Sequence, residues 1–140
     1  MVFHLSQTEI EILIKIFFAV VVGFVIGLER KAKQYGLGSR TSMLICVGAC
    51  LFTIVGSNVL DPSNFARIAQ GLAAGVGFIG AAIIWQQKQD HMWIHGLTSA
   101  ASVWVLTALG FAIGAGAYFV AIVATVCVLI ILLIKRIGFE

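Results

Sequence analysis

Charge is scarce in this chain: nine Lys and Arg and six Asp and Glu among 140 residues, 11 % of the whole. Soluble domains carry about 25 % charged residues. Hydrophobic residues reach 61 %, and the mean hydropathy is +1.07. A soluble fold of this size buries only a modest fraction of its surface and could not hide so much apolar area, whereas lipid can cover it. Other absences narrow the class further. No basic stripe interleaves with aromatics, so the net charge of +3 does not describe a nucleic-acid surface. Cys46, Cys50 and Cys127 are an odd number set in apolar runs, which excludes a disulfide framework. No Lys or Arg precedes the first apolar run, and no small-residue cleavage site follows a short apolar core, which excludes the cleavable signal pattern. No serine has an evident His and acid partner, and no span holds paired carboxylates, so neither an enzyme nor a cofactor is expected. A dedicated magnesium path also lacks its chemistry. Mg²⁺ takes carboxylates and water in octahedral sites, and the spans hold no acid at mid-membrane.

What remains is long apolar runs. They predict an all-α, polytopic transmembrane helix bundle of about five spans, a single transmembrane domain over residues 1–140. The spans fall at about 10–28, 41–60, 66–85, 97–114 and 117–134. A helix of about 20 residues crosses the roughly 30 Å hydrocarbon core, and helices satisfy their own backbone polar groups in lipid. The connectors are polar or turn-like: 29–40, then Asp61-Pro62-Ser63-Asn64, then 86–96. Gly114-Ala115-Gly116 is a very short hairpin and the least secure boundary; merging spans there would give four. Arg30, Lys31, Lys33, Arg40, Lys88, Lys135 and Arg136 fall on one side under five spans. That side is expected to be cytoplasmic, with the N-terminus outside. Trp85 and Trp93 suit interface anchoring. With about six residues after the fifth span, no soluble domain is expected to follow.

Small residues predict which helices pack. Gly23 and Gly27, Gly71 and Gly75, and Gly110 and Gly114 are three GxxxG pairs. The third span adds Gly77 and Gly80. Such residues let helix backbones approach closely, within or between subunits. The expectation is that the first and third spans pack centrally and the aliphatic fifth faces lipid. Glycine faces left to cover predict a homo-oligomer, or contact with another membrane protein.

Few polar residues invite a role. Glu29 ends the first span, where a carboxylate meets the negative end of the helix dipole. It is either an ordinary interface charge or part of a pair with Arg30 or Arg40 that organises the cytoplasmic mouth. Arg67 lies one turn before Gly71, on the small-residue stripe, and needs a partner in lipid. Asp61, Gln70 and Glu11 share its side. Arg67 is either a structural clamp or a site for an anion, a lipid headgroup or a protein. Glu11 and Lys15 are spaced to pair on one helix. Cys46 and Cys50 share a face, but two thiols make a poor zinc site. His91 and His95, with Asp90, could chelate only if their loop were helical. No metal site is expected.

The motifs together resemble the transmembrane domain of the MgtC/SapB family. Gly27-Leu28-Glu29-Arg30 is similar to its first-helix ending, and Gly38-Ser39-Arg40-Thr41 to the opening of its second, with Ser39 in place of an aliphatic residue. Asp61-Pro62-Ser63 resembles the turn that follows. Arg67-Ile68-Ala69-Gln70-Gly71 and Gly75-Val76-Gly77-Phe78-Ile79-Gly80-Ala81 resemble its most specific stretch, with Ala82 replacing a frequent glycine. Gly96-Leu97-Thr98-Ser99-Ala100-Ala101-Ser102, with Trp104, is similar to the start of the fourth helix. The resemblance runs in order from about 23 to 114. It implies a bacterial inner-membrane protein associated with low-magnesium growth and intracellular survival, acting through other membrane proteins and membrane energetics. It singles out Glu29, Arg40, Asp61, Arg67 and Gln70 as functional positions. Many members of the family carry a C-terminal cytoplasmic domain; activities that depend on it are not expected of this stretch.

Overall fold

A computed structural model of the chain describes residues 7–31, 37–57, 64–86 and 96–134. They form five helices: α1 Gln7–Lys31, α2 Ser39–Val55, α3 Phe65–Gln86, α4 Leu97–Gly114 and α5 Tyr118–Ile134. No strand occurs among the described residues. Three helices are long and apolar enough to cross a membrane: Gln7–Arg30, Phe65–Trp85 and Leu97–Gly114. The other two are apolar helices of 17 residues, about 26 Å long and just within the range that spans hydrocarbon.

The helix ends follow from local chemistry. Gly38 is extended, and the first bond of α2 runs from the Ser42 N–H to the Gly38 carbonyl at 3.1 Å. Gly96, before α4, has φ of 89°, a backbone that a β-carbon would strain. The short hairpin after α4 separates two helices. The Ala117 N–H donates to the Ala112 carbonyl and the Gly116 N–H to the Ile113 carbonyl, both at 2.9 Å. Gly116 takes φ of 80°. This pairing closes the last turn of α4 and reverses the chain at once. Five separate helices, not four, are the outcome.

Backbone contact sets the packing. A β-carbon on Gly23 would lie 2.7 Å from Met43 Cα, and one on Gly27 would lie 2.6 Å from Ser39 Cα. Further along α2, a β-carbon on Gly110 would meet the Cys46 carbonyl, and one on Gly114 would lie 2.7 Å from the Cys50 carbonyl. α2 therefore receives two GxxxG pairs, one on each half of its length, and offers them small buried side chains, Ser42, Cys46, Ala49, Cys50 and Thr53. Two of its buried hydroxyls bond back along the chain, Ser42 Oγ donating to the Gly38 carbonyl at 3.2 Å and Thr53 Oγ1 to the Ala49 carbonyl at 2.8 Å.

The centre of the bundle is α4, which touches every other helix. This corrects the sequence expectation for the third span. Among the described residues α3 does not meet α1; it rests on α4 and only brushes α2. Some 11 % of its apolar window is buried, against 50 % for α4. The large side chains of α3 are turned outward, Phe78 and Trp85 above all, whereas α4 interleaves Ser and Gly with Val103, Leu106, Leu109 and Ile113, all buried. The aliphatic α5 buries only Ala121 and Leu132 and otherwise faces outward, as its composition predicts.

Candidate functional site

One face of α1 carries the buried ionisable groups. Lys15, Ala19, Val22, Ile26 and Arg30 follow one another at helical spacing, and all are buried. Arg30 is 2 % exposed, and its Nη2 donates to Ser99 Oγ in the first turn of α4 at 2.6 Å. Ser99 is itself 1 % exposed. Ser42, on the first turn of α2, is fully buried. A β-carbon on Gly27 would come 3.0 Å from its Oγ. A guanidinium thus joins the end of α1 to the start of α4, beside the start of α2. Glu29, next to it, is half-buried and engaged with other groups. Buried charge of this kind persists in a membrane protein only when hydrogen-bonded and turned from lipid.

The other end of the same face holds Lys15. It is 7 % exposed and pairs through Nζ with Glu11 Oε1 at 2.8 Å. The pair is the one that the i,i+4 spacing predicts, but Lys15 is sunk further into the bundle than an interface charge. Its Cε lies near the α4–α5 hairpin, 4.0 Å from where a β-carbon on Gly116 would sit. Lys15 and Arg30 are about 22 Å apart along the helix axis. Two buried cations therefore bracket the glycine-packed middle of the bundle.

The five polar positions singled out from the sequence do not converge. Glu29 and Arg40 lie at one end, where α1 finishes and α2 begins, and Arg40 is exposed. Arg67 and Gln70 lie on the first turns of α3, at the other end, and both are exposed. Asp61 falls outside the described residues, as do Asp90, His91, Trp93 and His95. The bond from Arg30 to Ser99 and the burial of Lys15 were not read from the sequence, although a signal existed. Stepping four residues back from Gly23 gives Ala19 and then Lys15, and three forward from Gly27 gives Arg30. The stripe that packs α1 on α2 carries both cations inward.

α3 frames a wide apolar groove. Between α2 and α3, above Thr107 of α4, lies a cavity of about 740 Å³, walled by Leu44, Gly48 and Phe52 on one side and Ile68, Gly71 and Gly75 on the other. A second cavity of about 210 Å³ lies on the far side of α3, against Trp104, Ala108 and Phe111. Among the described residues, nothing comes within 4 Å of a β-carbon placed on Gly48, Gly71, Gly75 or Gly77. Gly80 alone makes ordinary contact, 3.6 Å from Ala100 Cβ. Of the glycines expected to pack, Gly23 and Gly27 do so tightly within the chain, while Gly71, Gly75 and Gly77 face open space.

Comparison with known proteins bears on this architecture. The family model described as the MgtC family matches residues 16–138. Protein SapB of Bacillus subtilis is 40 % identical over 119 residues, covering 77 % of this chain and 49 % of its own length. YhiD of Escherichia coli K12, named as a candidate magnesium transporter, is 40 % identical over 133 residues, covering 87 % of this chain and 59 % of its own. Protein MgtC of Brucella abortus is 37 % identical over 111 residues, 79 % of this chain and 45 % of its own. The chain spans about half the length of the curated relatives it matches. No solved structure matches it.

Proposed function

The chain belongs to the MgtC family, and from that premise we propose that it is a regulator in the bacterial inner membrane, acting by binding other membrane proteins during adaptation to low magnesium. The observation that carries this reading is α3. A helix of 22 residues is held outside the core, and the side chains it turns outward are mostly glycine and alanine. Lipid gains little from such a surface, whereas another helix can approach it to backbone contact. A bundle that keeps such a helix bare is built for association. The buried Arg30 fits the same reading as a tie that holds α1 to α4.

A transport reading draws on two observations: the name given to YhiD, and the presence of two buried cations on one face of α1. The larger groove argues against it, since glycine and aliphatic side chains dominate its walls, whereas a magnesium path presents oxygen ligands. The test extracts the protein gently from its own membrane and identifies by native mass spectrometry what leaves with it. A stoichiometric foreign membrane protein is the expected result. Magnesium uptake into liposomes holding the purified protein alone, above that of empty liposomes, would replace the regulatory reading with transport.

A further inference from the structure

We propose that the groove between α2 and α3 is the seat of α3 from a second copy of this chain, so that the protein is a parallel homodimer whose α3 helices cross at Gly71 and Gly75. This deepens the preceding reading by naming what covers α3, and shares with it only the premise that α3 is an association face.

The chain supplies its own calibration. It holds three GxxxG pairs, and two of them are filled. A β-carbon on Gly23, Gly27 or Gly114 would come within 2.7 Å of backbone or side-chain atoms of α2, and one on Gly110 would strike the Cys46 carbonyl. In this bundle such a pair is the place where a helix backbone docks. Among the described residues the third pair, Gly71 and Gly75, has nothing within 4 Å, and neither has Gly48 on the facing wall. Each glycine inside a helix costs about 1 kcal/mol relative to alanine. At Gly71 and Gly75 that cost is not offset by close packing against any described residue.

Surface area points the same way. The chain exposes 9626 Å² at a mass of 15.0 kDa, whereas a compact monomer of that mass exposes about 7,000 Å². The excess is larger than what a standard interface removes from each partner, about 800 Å².

Symmetry selects the occupant. Two copies inserted with the same topology can meet only about an axis along the membrane normal, which lays α3 parallel to α3 with their glycines at equal depth. Gly75 lies about 15 Å from the start of α3, half the hydrocarbon thickness, so the crossing falls at the bilayer midplane. Each α3 then brings a glycine notch and receives one, and its Ile68, Leu72 and Ile79 enter the partner's groove, which those same positions line. The two Arg67 side chains escape confrontation. They lie about 12 Å along the axis from the crossing, and helices that cross at about 40° have parted there by a further 8 Å or so. A flexible acyl chain could enter the same groove, but it has no means of matching notch to notch.

The test is clean because a β-carbon at position 75 meets no described residue within 4 Å. Gly75→Leu, and separately Gly71→Leu, are made in the full chain, and the oligomeric state is read by single-molecule photobleaching in liposomes and by native mass spectrometry. A dimeric wild type is expected. In both variants the dimer dissociation constant should rise at least roughly tenfold, with helix content and melting temperature held near those of the monomeric fold. Phe119→Ala, on the outer face of α5, should leave the dimer intact. A wild type that stays monomeric in liposomes, or a dimer untouched by both leucine variants, overturns the proposal. So does a foreign protein released from the wild type by Gly75→Leu, though that outcome upholds the regulatory reading. A dimer that carries no foreign protein upholds the proposal and removes the regulatory reading.

Discussion

At the scale of single residues, the bundle depends on which arginine is inside. Arg30 and Arg40 sit at the same end, and both were candidates to partner Glu29. Arg30 is buried and bonded to Ser99 across the bundle, while Arg40 is exposed. Removing one member of a buried, charge-assisted hydrogen bond costs about 3 kcal/mol or more, because it strips a partner from a group that water cannot reach. Removing an exposed charge changes stability by no more than about 0.5 kcal/mol. Arg30→Ala should therefore lower the melting temperature in detergent by several degrees, and Ser99→Ala by a smaller amount in the same direction. Arg40→Ala should melt with the wild type. Equal losses in the Arg30 and Arg40 variants would show that the link to α4 carries no stability. Both arginines were visible in the sequence; their difference was not. Charge and position near a helix end are the same for the two, and only the phase of Arg30 on the Gly23 and Gly27 stripe separates them.

At the scale of helices, the sequence made three glycine pairs look alike. Spacing identifies a surface that admits a close neighbour, but it does not say whose helix the neighbour is. For Gly23 and Gly27 it is α2; for Gly110 and Gly114 it is α2 again, further along its length; for Gly71 and Gly75 no described helix of this chain fills the place. The centrality of α4 was hidden for a related reason. Its residues are apolar or small on every side, so no one-sided pattern marks a buried face, and only assembly shows that it meets all four other helices. A sharp contrast between glycines follows. Gly110→Leu drives a side chain into the Cys46 carbonyl and the Ala49 side chain, and overpacking at such a point costs about 1–3 kcal/mol or more. Gly77→Ala meets open space and replaces a poor helix former with the best, a gain of up to about 1 kcal/mol. Thermal melts in one detergent should order them Gly77→Ala, wild type, Gly110→Leu. A Gly77→Ala protein less stable than wild type would mean that position 77 is covered in the assembled protein.

At the scale of the whole molecule, the helix directions combine with the charge pattern to give an orientation. Gly27 meets Ser39, so α1 ends where α2 begins. Gly110 meets the backbone of Cys46, and Gly114 that of Cys50, so α4 runs parallel to α2. Phe65 stacks edge-on against Phe111 with centroids 6.1 Å apart, and Gly80 lies by Ala100, so α3 runs antiparallel to α4. The tight hairpin at Gly116 sends α5 back again. The five helices alternate, so the start of α1 and the end of α5 lie on opposite sides. Arg30 and Arg40 then share a side with the end of α5, which the sequence follows with Lys135 and Arg136, while Lys15 and Arg67 occupy the other. Basic residues near span ends are retained in the cytoplasm, which predicts that the C-terminus lies inside. A fluorescent protein fused after Glu140 should glow, and alkaline phosphatase at the same place should be inactive. An active phosphatase there would invert the orientation. Arg30 and Ser99 would then lie at the outer mouth, and the exposed Arg67 would face the cytoplasm, within reach of soluble partners that the present orientation denies it.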